Sequence, residues 1–134
     1  MPSFSELSLR RLGSSEERLQ SLFVAVVKEY DCTVLCGHRG KEEQDEAFAT
    51  EMSTKRWPDS KHNQVPSLAV DVVPYFPGVK IDWKDLSTFA RFAGYVERVA
   101  HEQGTRIRWG GDWNDNRRTA DERFVDMPHF ELVE

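Results

Sequence analysis

Little in this chain points to a membrane, a nucleic acid or an oxidising compartment. The longest apolar run, Leu22 to Val27, is far too short to span a bilayer. Met1 to Gly13 alternates Ser, Leu and Arg without an apolar segment, so no signal peptide is expected. No long basic run occurs and the formal net charge is −5, which argues against a binder of phosphate backbones. There are only two cysteines, Cys32 and Cys36, in a Cys-Thr-Val-Leu-Cys stretch that reads as a strand. Four residues of strand span about 13 Å, whereas a disulfide needs Cα atoms within about 7 Å. Reduced, buried thiols are expected, as suits folding in the cytoplasm. The alternative is a metal set with His38. No repeat or low-complexity tract is present, and 134 residues suit a single domain spanning 1–134.

The hydrophobic pattern gives an order of elements. Ser14 and Glu17 form a capping-box pattern, and Leu19, Leu22, Phe23, Val26 and Tyr30 then share one helical face, which predicts a helix over Ser14 to Tyr30. A short strand follows through Thr33, Val34 and Leu35. Gly37 to Gly40 is a turn, and Lys41 to Met52 is a mostly polar helix with Ala47 and Phe48 facing inward. Ser53 to Pro66 is a loop. Leu68 to Val73 alternates as a strand, with Leu68, Val70 and Val72 on one face and Ala69, Asp71 and Val73 on the other. Asp82 is placed to cap a long helix from about Trp83 to Gln103, which Gly104 ends. Arg106 to Trp109 is a third strand, Gly110 to Glu122 a polar loop, and Pro128 to Val133 a last strand. That order predicts an α+β fold with a small, largely antiparallel sheet packed by helices.

Asp71 sits between Val70 and Val72 in a hydrophobic strand, where a carboxylate is costly unless it is paired or binds a metal. Taken alone it suggests a salt bridge to an arginine. Of the four histidines, His101 lies on a helix near Gln103 and reads as surface. His62 stands in the loop before the Asp71 strand and His129 in the last strand. Two histidines and a carboxylate, with a fourth position open to water, form the pattern of catalytic zinc. A chain with 23 acidic residues offers many such sets, so spacing alone does not choose among them.

The order of short motifs does choose. Ser60-Lys61-His62, Ala69-Val70-Asp71, Trp109-Gly110-Gly111-Asp112-Trp113 and Asp126-Met127-Pro128-His129-Phe130-Glu131 follow one another. From about Thr33 onward the sequence resembles the D-alanyl-D-alanine carboxypeptidase family of zinc peptidases, and within it the phage endolysins that act as L-alanyl-D-glutamate peptidases. The resemblance implies a hedgehog/D-Ala-D-Ala peptidase-like fold and one zinc ion per chain, held by His62, Asp71 and His129. It implies Asp126 as general base and Arg39, in Gly-His-Arg-Gly, as a residue that binds and polarises substrate. Gln44 matches a recurring glutamine more weakly. Ser60, Asp112, Trp109 and Trp113 are further candidates on the substrate side, with core packing as the alternative for the two tryptophans. Glu131 shares the face of His129 and is either its supporting partner or a solvated carboxylate. One departure stands out: Asn63 to Val70 is a longer linker than the common form, and Pro66-Ser67 replaces a glycine there.

The implied function is hydrolysis of the L-Ala–D-Glu bond in bacterial cell-wall stem peptides. The implied enzyme is a monomer made in the host cytoplasm and released at lysis, with peptidoglycan as its partner and no separate wall-binding domain. Two rivals share the scaffold. A D,D-carboxypeptidase or dipeptidase would keep the metal site but would ordinarily be exported. A non-catalytic metal-binding module would lack the acid at 126. A glycosidase would need a pair of catalytic carboxylates, to which no motif points.

Overall fold

The computed structural model describes residues 2–133. Four helices, α1 (Glu6–Gly13), α2 (Glu17–Glu29), α3 (Lys41–Ala49) and α4 (Leu86–Glu102), accompany four strands, β1 (Cys32–Cys36), β2 (Ala69–Pro74), β3 (Ile107–Trp109) and β4 (His129–Leu132). The strands form one antiparallel sheet in the order β1-β2-β4-β3, so the architecture is the expected α+β. Among the described residues no helix is long and apolar enough to cross a membrane.

The alternation read along β2 and β4 divides their side chains between two environments. Val34, Val70, Val72, Phe130 and Leu132 are buried in the main core, where α2 and α4 lie against each other and α4 against β2 and β3. Phe130 is wedged between Phe23 of α2 and Phe92 of α4, at ring-centroid distances of 5.4 and 6.0 Å in edge-on geometry. Asp71, His129 and Glu131 occupy the other face, whereas Val73, expected beside Asp71, is buried in the same core as Val70 and Val72. A bulge between Val34 and Cys36 shifts the end of β1 so that Cys36, not Leu35, pairs with Asp71.

Several expectations need correction. The segment Glu6–Gly13, read only as lacking a signal peptide, is a helix with Ser5 as its N-cap. It meets β1 through polar groups: Ser8 Oγ accepts from the Val34 N–H at 3.1 Å and an Arg11 nitrogen donates to the Val34 carbonyl at 3.1 Å. The Ser14/Glu17 capping box does not form. Glu16 caps α2, while Ser14 Oγ donates back to the Arg11 carbonyl at 2.7 Å. The long helix is capped by Asp85 rather than Asp82, through the Thr88 N–H at 3.1 Å. Gly104 does stop it, with φ +71. In α3 the buried residue is Gln44, with Ala47 and Phe48 only partly covered. Both cysteines are free thiols, but only Cys32 is buried and Cys36 is half-buried; burial, then the charge of Asp31, pushes Cys32 up to about 12.

Phe130→Ala removes the wedge between α2 and α4 while leaving the opposite face chemically unchanged. It should cost about 3–5 kcal/mol of unfolding free energy in a denaturant titration. A loss under about 1 kcal/mol would mean that the core collapses around the gap, contrary to the packing described.

Candidate metal centre

Asp71 and His129 are direct partners across β2 and β4. Asp71 Oδ1 lies 3.2 Å from His62 Nε2 and 3.6 Å from His129 Nδ1. His62 comes from the short 3-10 turn Lys61–Asn63, where Ser60 Oγ accepts from the His62 N–H at 3.2 Å. Each imidazole has its far nitrogen committed elsewhere. His62 Nδ1 bonds the Gly37 carbonyl at 2.7 Å, and His129 Nε2 bonds Glu131 Oε1 at 2.8 Å. A ring that donates from its far nitrogen presents, when neutral, a lone pair on the near one. The two near nitrogens and the carboxylate oxygen between them are atom types that ligate a divalent cation, although the two histidines fall in separate groups of potential ligands.

Charge in the cluster points the same way. Burial pushes the His62 imidazolium down, yet the Asp71 carboxylate beside it outweighs that and lifts the group to about 10. Burial also opposes ionisation of Asp71, but His62 and His129 together hold its carboxyl well below the usual carboxylate range. The pocket therefore favours a positive charge beside Asp71. Arg39 secures the second oxygen of Asp71 at 3.3 Å and donates to Gln44 Oε1 at 3.0 Å. Asp126 Oδ2 stands 3.8 Å from His129 Nδ1. Burial first, and Asp71 second, push its carboxyl up to about 6, against the lowering effect of His129, His62 and Arg39.

Two overlapping groups of potential ligands result, Asp71 with Asp126 and His129, and Asp71 with His62 and Cys36. Cys36 Sγ lies 4.0 Å from His62 Nδ1, the nitrogen already engaged by Gly37. Neither Cys32 nor His38 belongs to either group.

With this geometry in place, the relatives become informative. The family of phage L-alanyl-D-glutamate peptidases matches residues 2–133. The chain belongs to that family. It is 31% identical to the L-alanyl-D-glutamate peptidase of Escherichia phage T5 over 97% of both chains. Its fold matches the crystal structure of the Serratia marcescens L-Ala D-Glu endopeptidase ChiX with a TM-score of 0.75 and 26% identity, over 98% of this chain and 91% of that one. The chain is thus an L-alanyl-D-glutamate peptidase of phage type, and the carboxypeptidase and glycosidase readings give way to it.

The other candidate residues of this peptidase fall into distinct places. Arg39, Ser60, His62, Trp113, Asp126 and His129 all line one small cavity of about 140 Å³. Trp113 packs against the His129 ring at 5.2 Å and hydrogen-bonds the Phe124 carbonyl at 2.8 Å, so it is a wall of that cavity. Trp109 is instead core, 4% exposed, with its indole N–H given to the Met127 carbonyl. Asp112 does not face the cavity. Its oxygens accept from the Asn116 and Arg117 N–H groups at 3.1 and 2.7 Å and organise the loop. Gln44 is fully buried and joins three segments: Arg39 and Asn63 donate to its oxygen, while its nitrogen donates to Ser53 Oγ and the Lys55 carbonyl. Its place is behind Arg39 rather than toward a substrate.

Sequence reasoning missed Gly37 and Gly110 as contributors. Gly37 supplies the carbonyl that orients His62. A Cβ on Gly110 would come within 2.1 Å of the Asp126 carbonyl oxygen, and the Asp126 N–H donates to the Gly110 carbonyl at 2.8 Å. The signal was present in the Gly110-Gly111 pair, which reads as loop unless one knows what lies beneath it.

The geometry separates the two overlapping groups experimentally. Cys36→Ser should retain one metal ion per chain by elemental analysis after dialysis, whereas His129→Ala should lose most of it. Full metal occupancy in His129→Ala, or its loss in Cys36→Ser, would move the site onto the Cys36 side.

Proposed function

We propose that this chain is a zinc-dependent endopeptidase that cuts the L-Ala–D-Glu bond of cell-wall stem peptides, with His62, Asp71 and His129 as zinc ligands and Asp126 as general base. The observation that carries the reading is the convergence of His62 Nε2 and His129 Nδ1 on Asp71 Oδ1, with Asp126 beside His129. The names of the phage T5 and Serratia relatives, both specifying the same bond, support the substrate. Production in the host cytoplasm and release at lysis are part of the same reading.

Zinc held there would supply a Lewis acid that lowers the pKa of water and polarises the scissile carbonyl. The protein's own residues do the rest. Asp126 accepts the proton of the attacking water and later delivers it to the departing amine of D-Glu. Its raised pKa suits both halves of that task, since the group must take a proton and give it back. Arg39 fixes the orientation of Asp71 through Oδ2 and lines the cavity, where its charge can bind an anionic oxygen of the substrate. Trp113 covers one side of His129, which limits access of bulk water.

Asp126→Asn should leave zinc content and fold intact while lowering turnover by about two to four orders of magnitude. Mass spectrometry of digested peptidoglycan should find L-Ala as the new C-terminus on glycan-bound fragments and peptides beginning with D-Glu. Release of free D-Ala with that bond intact would refute the proposed specificity.

The pH profile follows from the same carboxyl. Asp126 acts as base only when ionised, and it is pushed up to about 6. Activity should therefore rise with pH through an acid limb. A bound dication favours the carboxylate, so this limb should lie no higher than about 6. A limb near 8 in kcat/KM would assign the essential base to another group.

A further inference from the structure

We infer that Glu131 is a positioning residue that aims His129 at the metal centre, and that Lys61 is the brace that holds Glu131 in place. The inference rests on the metal reading above and adds to it two residues that do not touch the ion.

Begin with the ring of His129. Its Nδ1 is the nitrogen near Asp71, and its Nε2 meets Glu131 Oε1 at 2.8 Å. A half-turn about the terminal side-chain torsion would put carbon Cδ2 where Nδ1 stands and carbon Cε1 where Nε2 stands, and so take the near nitrogen away from Asp71. A carboxylate fixed at Nε2 removes that freedom, makes Nε2 the protonated position and raises the basicity of Nδ1. His129 and Glu131 are both buried, so water does not compete freely for the bond.

The second oxygen of Glu131 is equally committed. Lys61 Nζ lies 3.1 Å from Oε2, and an Arg108 terminal nitrogen lies 3.7 Å from it. Lys61 Nζ also donates to the Leu132 carbonyl. Lys61 immediately precedes His62, and Glu131 follows His129 by two residues. The ion pair therefore joins the turn that carries one histidine to the strand that carries the other. Backbone bonds close the same circuit: the Leu68 N–H donates to the Lys61 carbonyl at 3.0 Å, and the Leu132 N–H donates to the Leu68 carbonyl at 2.9 Å. A displacement of the turn is thus transmitted to the carboxylate behind His129.

A plainer role for the pair is a staple between loop and strand. The two roles differ in what they move. A staple alters the melting of the metal-free chain but leaves metal affinity alone. A positioning pair alters metal affinity and the ligand field.

Glu131→Gln keeps an acceptor oxygen and the side-chain shape but removes the charge. Zinc affinity is measured by competition with a chromophoric chelator, the ligand field by the visible absorption of the cobalt-substituted protein, and the fold by thermal melting of the metal-free form. Glu131→Gln should bind zinc about 10- to 100-fold more weakly than wild type and shift the cobalt bands. Lys61→Met should move both readouts in the same direction by less, and Lys61→Arg should restore them. Lys61→Met/Glu131→Gln should be no weaker than Glu131→Gln alone, since both act through one contact. Should Glu131→Gln fail to fold, the Lys61→Met and Lys61→Arg pair decides by the same readouts. Wild-type zinc affinity and an unchanged cobalt spectrum in Glu131→Gln, with only the melting point altered, would overturn the inference and leave the metal reading standing. A wild-type chain that takes up no zinc would overturn both.

Discussion

The register between β2 and β4 is the constraint on which this molecule depends. It sets Asp71 against His129, Val70 against Phe130 and Ala69 against Glu131. Because side chains alternate along a strand, a slip of one residue would carry Phe130 out of the core and send the histidine into it. The hydrophobic face pins the register, since Phe130 has a place only between Phe23 and Phe92. Core packing on one side thereby holds the chemical groups on the other to within a fraction of a strand spacing.

What that face carries is expensive. A buried carboxylate survives only where opposite charge and hydrogen bonds replace its water. Asp71 meets these needs with the two imidazoles on Oδ1 and Arg39 on Oδ2. Glu131 meets them with His129, Lys61 and Arg108. Asp126 is the exception, with no cation as near as those that serve Asp71, and its pKa is raised where theirs are lowered. Three carboxyls in one small region thus have two different electrostatic states. The pair held ionised serves as framework, and the one left near neutrality is suited to exchanging a proton.

How much of this could be read beforehand varied with the kind of interaction. The α2 face and the alternation in β2 and β4 were legible because apolar burial leaves a periodic trace. The placement of His62, Asp71, Asp126 and His129 in one cluster was legible only through the resemblance, since spacing by itself admitted many sets. The helix α1 was not legible, because it docks by Ser8, Arg11 and the single buried leucine Leu12, which together leave no apolar period. The caps at Glu16 and Asp85 escaped because Ser14 and Asp82 fit the same local patterns, and tertiary contacts chose between them. Without the resemblance, which marked Gln44 only weakly and for a substrate role, Gln44 and Lys61 look like ordinary surface residues of a polar helix and a polar loop. Their roles come from contacts made across the chain, which no local window contains.

Eight residues, Asn63 to Val70, separate His62 from Asp71. The ends of the loop are fixed independently of its middle. Ser60 caps the turn at one end, and Asn63 donates to the Arg39 carbonyl and to Gln44. At the other end Ser67 Oγ bonds both the Ala69 and the Gly37 carbonyls, and the Leu68 N–H returns to Lys61. Gly37, which orients His62 Nδ1, is therefore also tied to the start of β2. Between these anchors Val65 points outward and is 84% exposed. Added residues in such a segment cost only a slowly growing closure entropy, and they displace nothing that touches His62. At Pro66-Ser67, where the resemblance would place a glycine, Ser67 is fully buried and its hydroxyl holds the Gly37 carbonyl that orients His62.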